Sequence, residues 1–246
     1  MQRLRVRYAK RGPLRFTSHR DFARAFERAV RRAGVPIAYS QGFSPHPKIS
    51  YASAAPTGAA SEAEYLELGL HAEADPNQVR AALDAALSPG LDVLDVRVAT
   101  GHVSLADRID ASRWRVELPG VQPARLADAV AAFLAADEVL VERMTKQGRR
   151  RFDARAAVTS IQPGAVPDTA SGSEYAMMDL VVRQVTPAVR PDDVLAGLRV
   201  VADLEVPVPP RATRRAQGTL TPQGEIVDPL DDETISGNAF IGESSV

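Results

Sequence analysis

The order in which strand-type and helix-type sequence patterns follow one another constrains the fold of this chain more than any other feature. Residues 2–8 alternate apolar and polar side chains, and this period of two predicts a half-buried strand. Ser18 and Asp21 then occupy the positions of a helix N-cap and its partner, and the apolar spacing that follows predicts a helix to about Ala33. The remaining elements of this half are predicted strands at 46–55, 63–70 and 91–99 and a helix at 76–87. The resulting order, β-α-β-β-α-β, is that of the ferredoxin-like fold.

The second half of the chain repeats this order. Strands are predicted at 113–118, 138–145, 152–161, 174–185 and near 210–216, and helices at 123–136 and 191–201. We therefore expect an α+β protein of two tandem ferredoxin-like (βαββαβ) lobes, residues 1–105 and 106–215, with a cleft between their sheets. Residues 163–173 are predicted to form a long surface loop. Residues 216–246 hold six acidic and no basic residues, which predicts a disordered, flexible acidic tail.

Composition excludes several kinds of site. The chain has 246 residues, 45% of them hydrophobic, enough for one large domain or two ordinary ones. It contains no cysteine, so disulfides, thiolate metal sites, cysteine nucleophiles and cysteine-held iron–sulfur clusters are excluded. No run of about 18 apolar residues is present, so we expect no transmembrane helix and no membrane partner. The basic N-terminus lacks the apolar stretch of a secretory signal, and the abundance of Ala and Arg fits a cytoplasmic bacterial protein.

Charge is distributed very unevenly along the chain. Residues 1–51 contain 12 Lys or Arg and 2 Asp or Glu, whereas the remaining 195 residues contain 18 and 29. A basic region of this kind indicates a polyanionic partner. The alternative is that the basic region pairs with the acidic remainder inside one fold.

The helix predicted after Ser18 carries a row of arginines. Their spacings of four, four and three residues place them on one face, and we call this set the arginine row: Arg20, Arg24, Arg28 and Arg31. Only Asp21 and Glu27 are available as local partners. Guanidinium groups without carboxylate partners suit phosphate oxygens, which they grip in a forked geometry. The alternative is an ordinary solvated helix face.

Residues 39–51 form the densest group of candidate binding residues. Prolines on both sides of His46 stiffen the backbone, so His46 and Lys48 are predicted to lie on a rigid basic loop. Phe43 and Tyr51 are available for stacking on bases. Alternatively, the prolines only fix a connection whose aromatic side chains cover the core.

A second basic patch is predicted at the turn of residues 146–151. Lys146, Arg149 and Arg150 at the tip of a hairpin would project into solvent and reach a phosphate groove. The alternative is a hairpin tip that only increases solubility.

Motifs for catalysis are scarce. His19, in the first turn of the arginine helix, and His46 are the candidates for an acid–base pair, but the sequence does not show that they meet. The four histidines lack metal-ligand spacing, so no metal site is predicted. Motifs for nucleotide hydrolysis or an acyl nucleophile are absent. Glu62 and Glu64 share one face of a strand, and we interpret them as a strand-edge feature.

Several segments resemble a known family. S-H-R-D at 18–21, G-F-S-P-H-P-K at 42–48 and K-Q-G-R-R-R-F-D-A-R at 146–155 are similar to the radical-SAM-linked protein family, domain of unknown function 2344. The resemblance spans residues 1–215 and implies the stand-alone form of a domain that is often fused behind a cobalamin-binding radical SAM module. Because the chain lacks a C-x-x-x-C-x-x-C motif, we expect no cofactor and no radical or redox chemistry of its own. Arg20 stands where family members usually have Leu, which adds one charge to the arginine row.

Together these features favour an RNA-binding accessory protein. A structured RNA such as tRNA or rRNA would bind the arginine row, the basic loop and the 146–151 hairpin, and a radical SAM or ribonuclease partner would act on it. One alternative is a metal-independent endoribonuclease that uses His19 and His46; the CRISPR RNA-processing endonucleases are similar at the level of the fold. Another alternative is a protein–protein adaptor whose basic loop docks an acidic partner.

Overall fold

Within the described residues, a large, mostly antiparallel sheet carries four α-helices in a mixed α+β architecture. The computed structural model describes residues 2–101, 103–145, 148–167, 172 and 174–231. The first half contains β1 (Arg3–Lys10), α1 (His19–Arg32), β2 (Ile49–Ala52), β3 (Ala60–Gly69), α2 (Pro76–Ala86) and β4 (Val93–Val98). The second half contains β5 (Ala111–Leu118), α3 (Pro123–Ala135), β6 (Leu140–Thr145), β7 (Gly148–Asp153), β8 (Val158–Pro167), β9 (Glu174–Arg183), α4 (Pro191–Ala202), β10 (Arg211–Leu220) and β11 (Ile226–Val227). None of the helices in these described ranges is long and apolar enough to cross a membrane.

In the first half the strand order is β4-β1-β3, and β2 pairs with the other edge of β3. All of these pairings are antiparallel. Helices α1 and α2 cover one face of this part of the sheet. There Phe26 of α1 and Leu83 of α2 share a buried cluster with Leu4, Val6 and Leu66 of the strands.

In the second half the strand order is β10-β5-β9-β8, again antiparallel. Helices α3 and α4 cover one face, where Phe133 and Leu198 pack in one buried cluster with Trp114, Val116 and Leu180 of the sheet. Strands β6 and β7 form a separate two-stranded hairpin.

Strand β10 joins the two halves into one continuous sheet. It runs parallel to β3, with Thr213 opposite Ala60 and Arg214 opposite Ser61. The sequence predicts separate sheets, but β2 has only four residues and pairs with β3 only from Tyr65 onward. The beginning of β3 therefore keeps an open edge, and β10 occupies it.

Two connections contain regular structure. Residues 12–16, between β1 and α1, form a 3₁₀ helix, and Pro13 fixes a helical φ at its start. The predicted strand 152–161 is divided between β7 and β8. The carboxylate of Asp153 causes the break, since its oxygens accept the N–H groups of Val139 at 2.9 Å, Arg155 at 2.8 Å and Ala156 at 3.2 Å. Strand β8 then continues to residue 167, into the predicted surface loop.

The prediction of a disordered tail from residue 216 is wrong for residues 216–231. Strand β10 runs through the predicted boundary, and Leu230 is buried in a cluster with Tyr65 and Leu105. The carboxylate of Asp228 accepts hydrogen bonds from Arg7 at 2.9 Å and from the Tyr65 hydroxyl at 2.8 Å. Asp228 therefore serves as an internal partner of both β1 and β3. Residues 232–246, the rest of the predicted tail, lie outside the described residues.

Candidate nucleic-acid interface

Helix α1 presents its arginines because its other face is buried. Ser18 caps the helix, since its Oγ accepts the N–H of Asp21 at 3.2 Å. Phe22 and Phe26 pack inward, and the Phe22 ring stacks on Tyr8 with the centroids 4.4 Å apart. Because of the helical period, residues on the face opposite Phe22 and Phe26 are exposed to solvent. They include Arg20, Arg24, Arg28 and Arg31.

The arginine row is charged and unpaired. Its four side chains are exposed and make no ion pair or hydrogen bond within the described residues. Four positive charges on one exposed helix face are available to a polyanion.

Four of the arginines that precede α1 behave differently. They pair with acidic side chains from later in the chain: Arg3 and Arg5 with Glu67, Arg7 with Asp228, and Arg11 with Glu62 and Asp92. For these residues, internal pairing is the correct explanation of the basic N-terminal region. The four members of the arginine row on α1, in contrast, have no ion pair within the described residues.

The basic loop predicted within residues 39–51 begins as a narrow hairpin that closes between residues 38 and 48. The N–H of Ser40 donates to the carbonyl of His46 at 2.8 Å, and the N–H of His46 donates to the Ser40 hydroxyl at 2.9 Å. His46 and Lys48 are exposed on this hairpin. Phe43 lies at its tip with a fully exposed ring, so it does not cover the core.

The structure does not bring the two candidate histidines together. His19 and His46 share no hydrogen bond or ring contact in the described part of the chain. The His19 ring packs edge-on against Tyr51 instead, with the centroids 5.0 Å apart. The Tyr51 hydroxyl is buried without a partner among those residues, and burial, followed by the negative charge of Glu27, raises its pKa. No group of three His, Asp or Glu side chains suited to a metal ion occurs there either.

The second predicted patch is only partly described. Arg149 and Arg150 lie exposed on β7, not at a turn, and Arg149 pairs with Glu142 of the neighbouring strand at 3.2 Å. Lys146 lies outside the described residues.

A buried ion pair that the sequence pattern does not reveal lies beside a cleft lined by residues of both halves of the chain. The guanidinium of Arg214 on β10 pairs with the carboxylate of Glu64 on β3, and it lies over the Trp114 indole, 5.4 Å from the ring centroid. The same carboxylate accepts the N–H of Ala55 at 3.1 Å, and the Arg214 Nε donates to the Ser61 hydroxyl at 3.4 Å. These contacts fix the place where β3, β10 and β5 meet. Glu64 is therefore not a strand-edge residue.

Two cavities adjoin Trp114 in this cleft. The larger, which we call the cleft cavity, measures about 390 Å³ and is lined by residues that include Arg15, Phe16, Arg190 and Arg211. The smaller, about 180 Å³, reaches Arg214 and Gln217. Pro56, Trp114 and Arg190 line both.

Comparison with known proteins identifies the family. A family model described as "Uncharacterized protein conserved in bacteria (DUF2344)" matches residues 3–191. The chain belongs to the DUF2344 family. The match includes α1, the basic loop and Glu64, and it ends at the first residue of α4, before Arg214. No curated protein matches the DUF2344 chain.

Solved structures with some similarity to this DUF2344 chain include three of different origin. An unknown protein from Galdieria sulphuraria is 17% identical, with a TM-score of 0.25, and the match covers 87% of this chain and 98% of that chain. The first two RRM domains of yeast poly(U) binding protein Pub1 are 13% identical, with a TM-score of 0.22, and the match covers 86% of this chain and 98% of that chain. A CRISPR-associated protein from Thermus thermophilus is 12% identical, with a TM-score of 0.19, and the match covers 80% of this chain and 89% of that chain. At these TM-scores none of the three carries an argument about fold or function.

Proposed function

We propose that this DUF2344 protein is an RNA-binding accessory protein built from two tandem ferredoxin-like lobes. The strand orders β4-β1-β3-β2 and β10-β5-β9-β8, each with two helices on one face, support the two lobes. The observation that carries RNA binding is the arginine row, whose exposed guanidinium groups have no ion pair in the described ranges. Phosphate contacts of this kind supply most of the affinity for a nucleic acid before any base is recognised.

The basic loop adds a contact of a different kind. Phe43 offers a fully exposed aromatic ring at the tip of a hairpin. Unpaired bases in the loops and bulges of a structured RNA stack on such rings without requiring a particular sequence. His46 and Lys48 on the same hairpin favour phosphates beside the stacked base. A tRNA or rRNA, which offers both duplex phosphates and unstacked bases, is the RNA class that this combination fits.

The accessory role follows from the chemistry of the candidate residues. His19 faces Tyr51 and not His46, so the arrangement favours binding over cleavage. We propose that a radical SAM or RNA-processing enzyme in the cytoplasm acts on the RNA that this protein holds. The similarity of residues 18–21 and 42–48 to radical-SAM-linked proteins supports this partner. Affinity purification from the host with mass spectrometry should recover such an enzyme, and its consistent absence would contradict the accessory role.

Filter binding of total tRNA at several salt concentrations tests the binding itself. The test variant is Arg24→Gln/Arg28→Gln, in the middle of the arginine row. The matched control is Arg125→Gln/Arg199→Gln, which removes the same charge from exposed positions of α3 and α4. A second pair compares Phe43→Ala with Phe43→Trp.

The test variant should bind more weakly, and its slope of log K against log salt should fall by about 0.7–0.9 for each phosphate that it no longer neutralises. Phe43→Ala should lose about 1–3 kcal/mol of binding free energy and Phe43→Trp little, since a larger ring still stacks. Equal losses in the test and control variants would show only a general charge effect. Absence of binding by the wild type at low salt would reject the proposal.

A further inference from the structure

We propose that the cleft cavity is a binding site for a single ribonucleotide, a nucleoside monophosphate whose phosphate contacts Arg190 and Arg211 and whose base stacks on Phe16. This site is lined by residues of both halves of the chain and goes beyond the phosphate-backbone binding proposed for α1. The proposal rests on the positive charge of the cavity lining, on the exposed ring of Phe16 and on the volume of the cavity.

The cavity lining carries three arginines and one aspartate, Asp192. Arg190 and Arg211 are exposed at the rim, and Arg211 lies 3.7 Å from Glu117. Arg15, the third arginine, is half-buried and makes no ion pair among the described residues. The lining therefore favours an anion with several acceptor oxygens.

The same cavity offers a flat apolar surface. Phe16 is 60% exposed, although it belongs to the 3₁₀ helix of residues 12–16. The Arg15 guanidinium lies over this ring, 4.8 Å from its centroid. Pro56, Pro209 and Trp114 complete the apolar part of the lining. An aromatic base fits this surface better than a sugar or a bare phosphate does, because stacking on a ring and on prolines needs a flat apolar partner.

Size limits the ligand to about one nucleotide. The volume of about 390 Å³ lies within the range of about 300–1,000 Å³ that small-molecule sites occupy. A nucleic-acid duplex is far wider than the cavity. The ligand is therefore either a free nucleotide or the terminal nucleotide of an RNA, and both present the same chemistry.

The single tryptophan of the chain is a built-in reporter of this site, because Trp114 lines the cavity. The full-length protein is titrated with AMP while tryptophan emission is excited at the red edge, where AMP does not absorb. Parallel titrations use adenosine and inorganic phosphate. AMP should give a saturable change with an affinity at least about tenfold above either fragment, since charge-assisted hydrogen bonds and stacking act together.

Matched variants locate the ligand. Arg190→Gln/Arg211→Gln should weaken AMP binding at least about tenfold, the effect of removing one charge-assisted hydrogen bond. Arg199→Gln, at the other end of α4, should leave it unchanged. Phe16→Ala should weaken binding and Phe16→Tyr should retain it. Melting temperatures of all variants establish that they fold.

The outcomes separate this proposal from the proposed RNA binding. No saturable response to AMP, or equal affinities for AMP and phosphate, would overturn the nucleotide site even if tRNA still binds. Retained AMP binding in Arg24→Gln/Arg28→Gln supports a site distinct from the arginine row. Competition by a short 5′-phosphorylated RNA would assign the site to an RNA terminus, and lack of competition would assign it to a free nucleotide.

Discussion

The guanidinium of Arg214 and the carboxylate of Glu64 form an ion pair between the two halves of the chain. The two side chains are only 4% and 2% exposed, and they come from strands that run side by side at the junction of the sheet. Removing one partner would leave the other charge buried without compensation. Each half of the chain therefore supplies the counter-charge for a buried side chain of the other half.

The first prediction concerns this pair. Arg214→Met and Glu64→Met should each lower the free energy of unfolding by about 3–5 kcal/mol, because each leaves a buried charge unpaired. The double variant should lose less than the sum of the two, with a coupling energy of about 1–3 kcal/mol. Urea unfolding followed by Trp114 fluorescence measures all four proteins. Strictly additive losses would show that the two side chains do not interact.

Lys10 provides the second prediction. It is 5% exposed, and its ammonium has no hydrogen bond or ion pair within the described residues. Burial lowers the pKa of Lys10; the negative charge of Glu64 opposes this shift and the positive charge of Arg214 adds to it. Lys10→Met should therefore raise the free energy of unfolding at pH 7 by about 1 kcal/mol, since it removes a poorly solvated charge. Lys10→Arg keeps the charge and should give no gain.

The pH dependence checks the cause. Because the folded-state pKa of Lys10 is lowered, the unfolded chain binds more protons between that pKa and about 10.4, and wild-type stability from this group rises with pH there. The advantage of Lys10→Met should therefore shrink as pH is raised from 7 towards 10. An advantage that stays constant would attribute the effect to packing alone.

Local signals explain which elements the sequence predicts well. Helix α1 is confirmed from His19 to Arg32, because its N-cap directly precedes it and its apolar stripe lies within it. The sequence does not predict the end of β10, because the interactions that form it are not local. Residues 216–220 have no strong alternation, and their strand forms because Arg113, Ser112 and Ala111 of β5 pair with them across a long sequence separation.

The candidate site likewise has one part that the sequence predicts and one part that it does not. The arginine row is visible in the sequence because helical spacing alone places its members together. The cleft is not, since Glu64 and Arg214 are 150 residues apart in the chain. One local signal is available: Glu64 stands between Ala63 and Tyr65 in a strand that is otherwise rich in buried residues. A carboxylate in such a place requires a buried partner, although the sequence alone does not say which.

The third prediction is that the segment of residues 225–230, in the region predicted to be a flexible acidic tail, contributes to the stability of the fold. Asp228→Ala should lower the free energy of unfolding by about 1–3 kcal/mol, because Arg7 and the Tyr65 hydroxyl lose their shared acceptor. Leu230→Ala should cost about 2–5 kcal/mol, because its side chain is buried. Glu225→Ala, exposed in the same segment, should stay within about 0.5 kcal/mol of the wild type. Equal stability of all three variants would show that the segment does not contribute to the fold.

The last prediction decides between binding and cleavage at His19. The ring of His19 contacts Tyr51 and has no partner imidazole among the described residues, so the wild type should give no specific cuts when it is incubated with labelled cellular RNA and a chelator. His19→Ala should retain tRNA affinity and lose at most about 1 kcal/mol of stability, the range of an edge-on aromatic contact at an exposed position. His19→Phe replaces the imidazole by another aromatic ring, which cannot transfer a proton but can contact Tyr51, and it should restore that stability. Specific cuts by the wild type that vanish in both variants would replace the accessory role with a metal-independent ribonuclease.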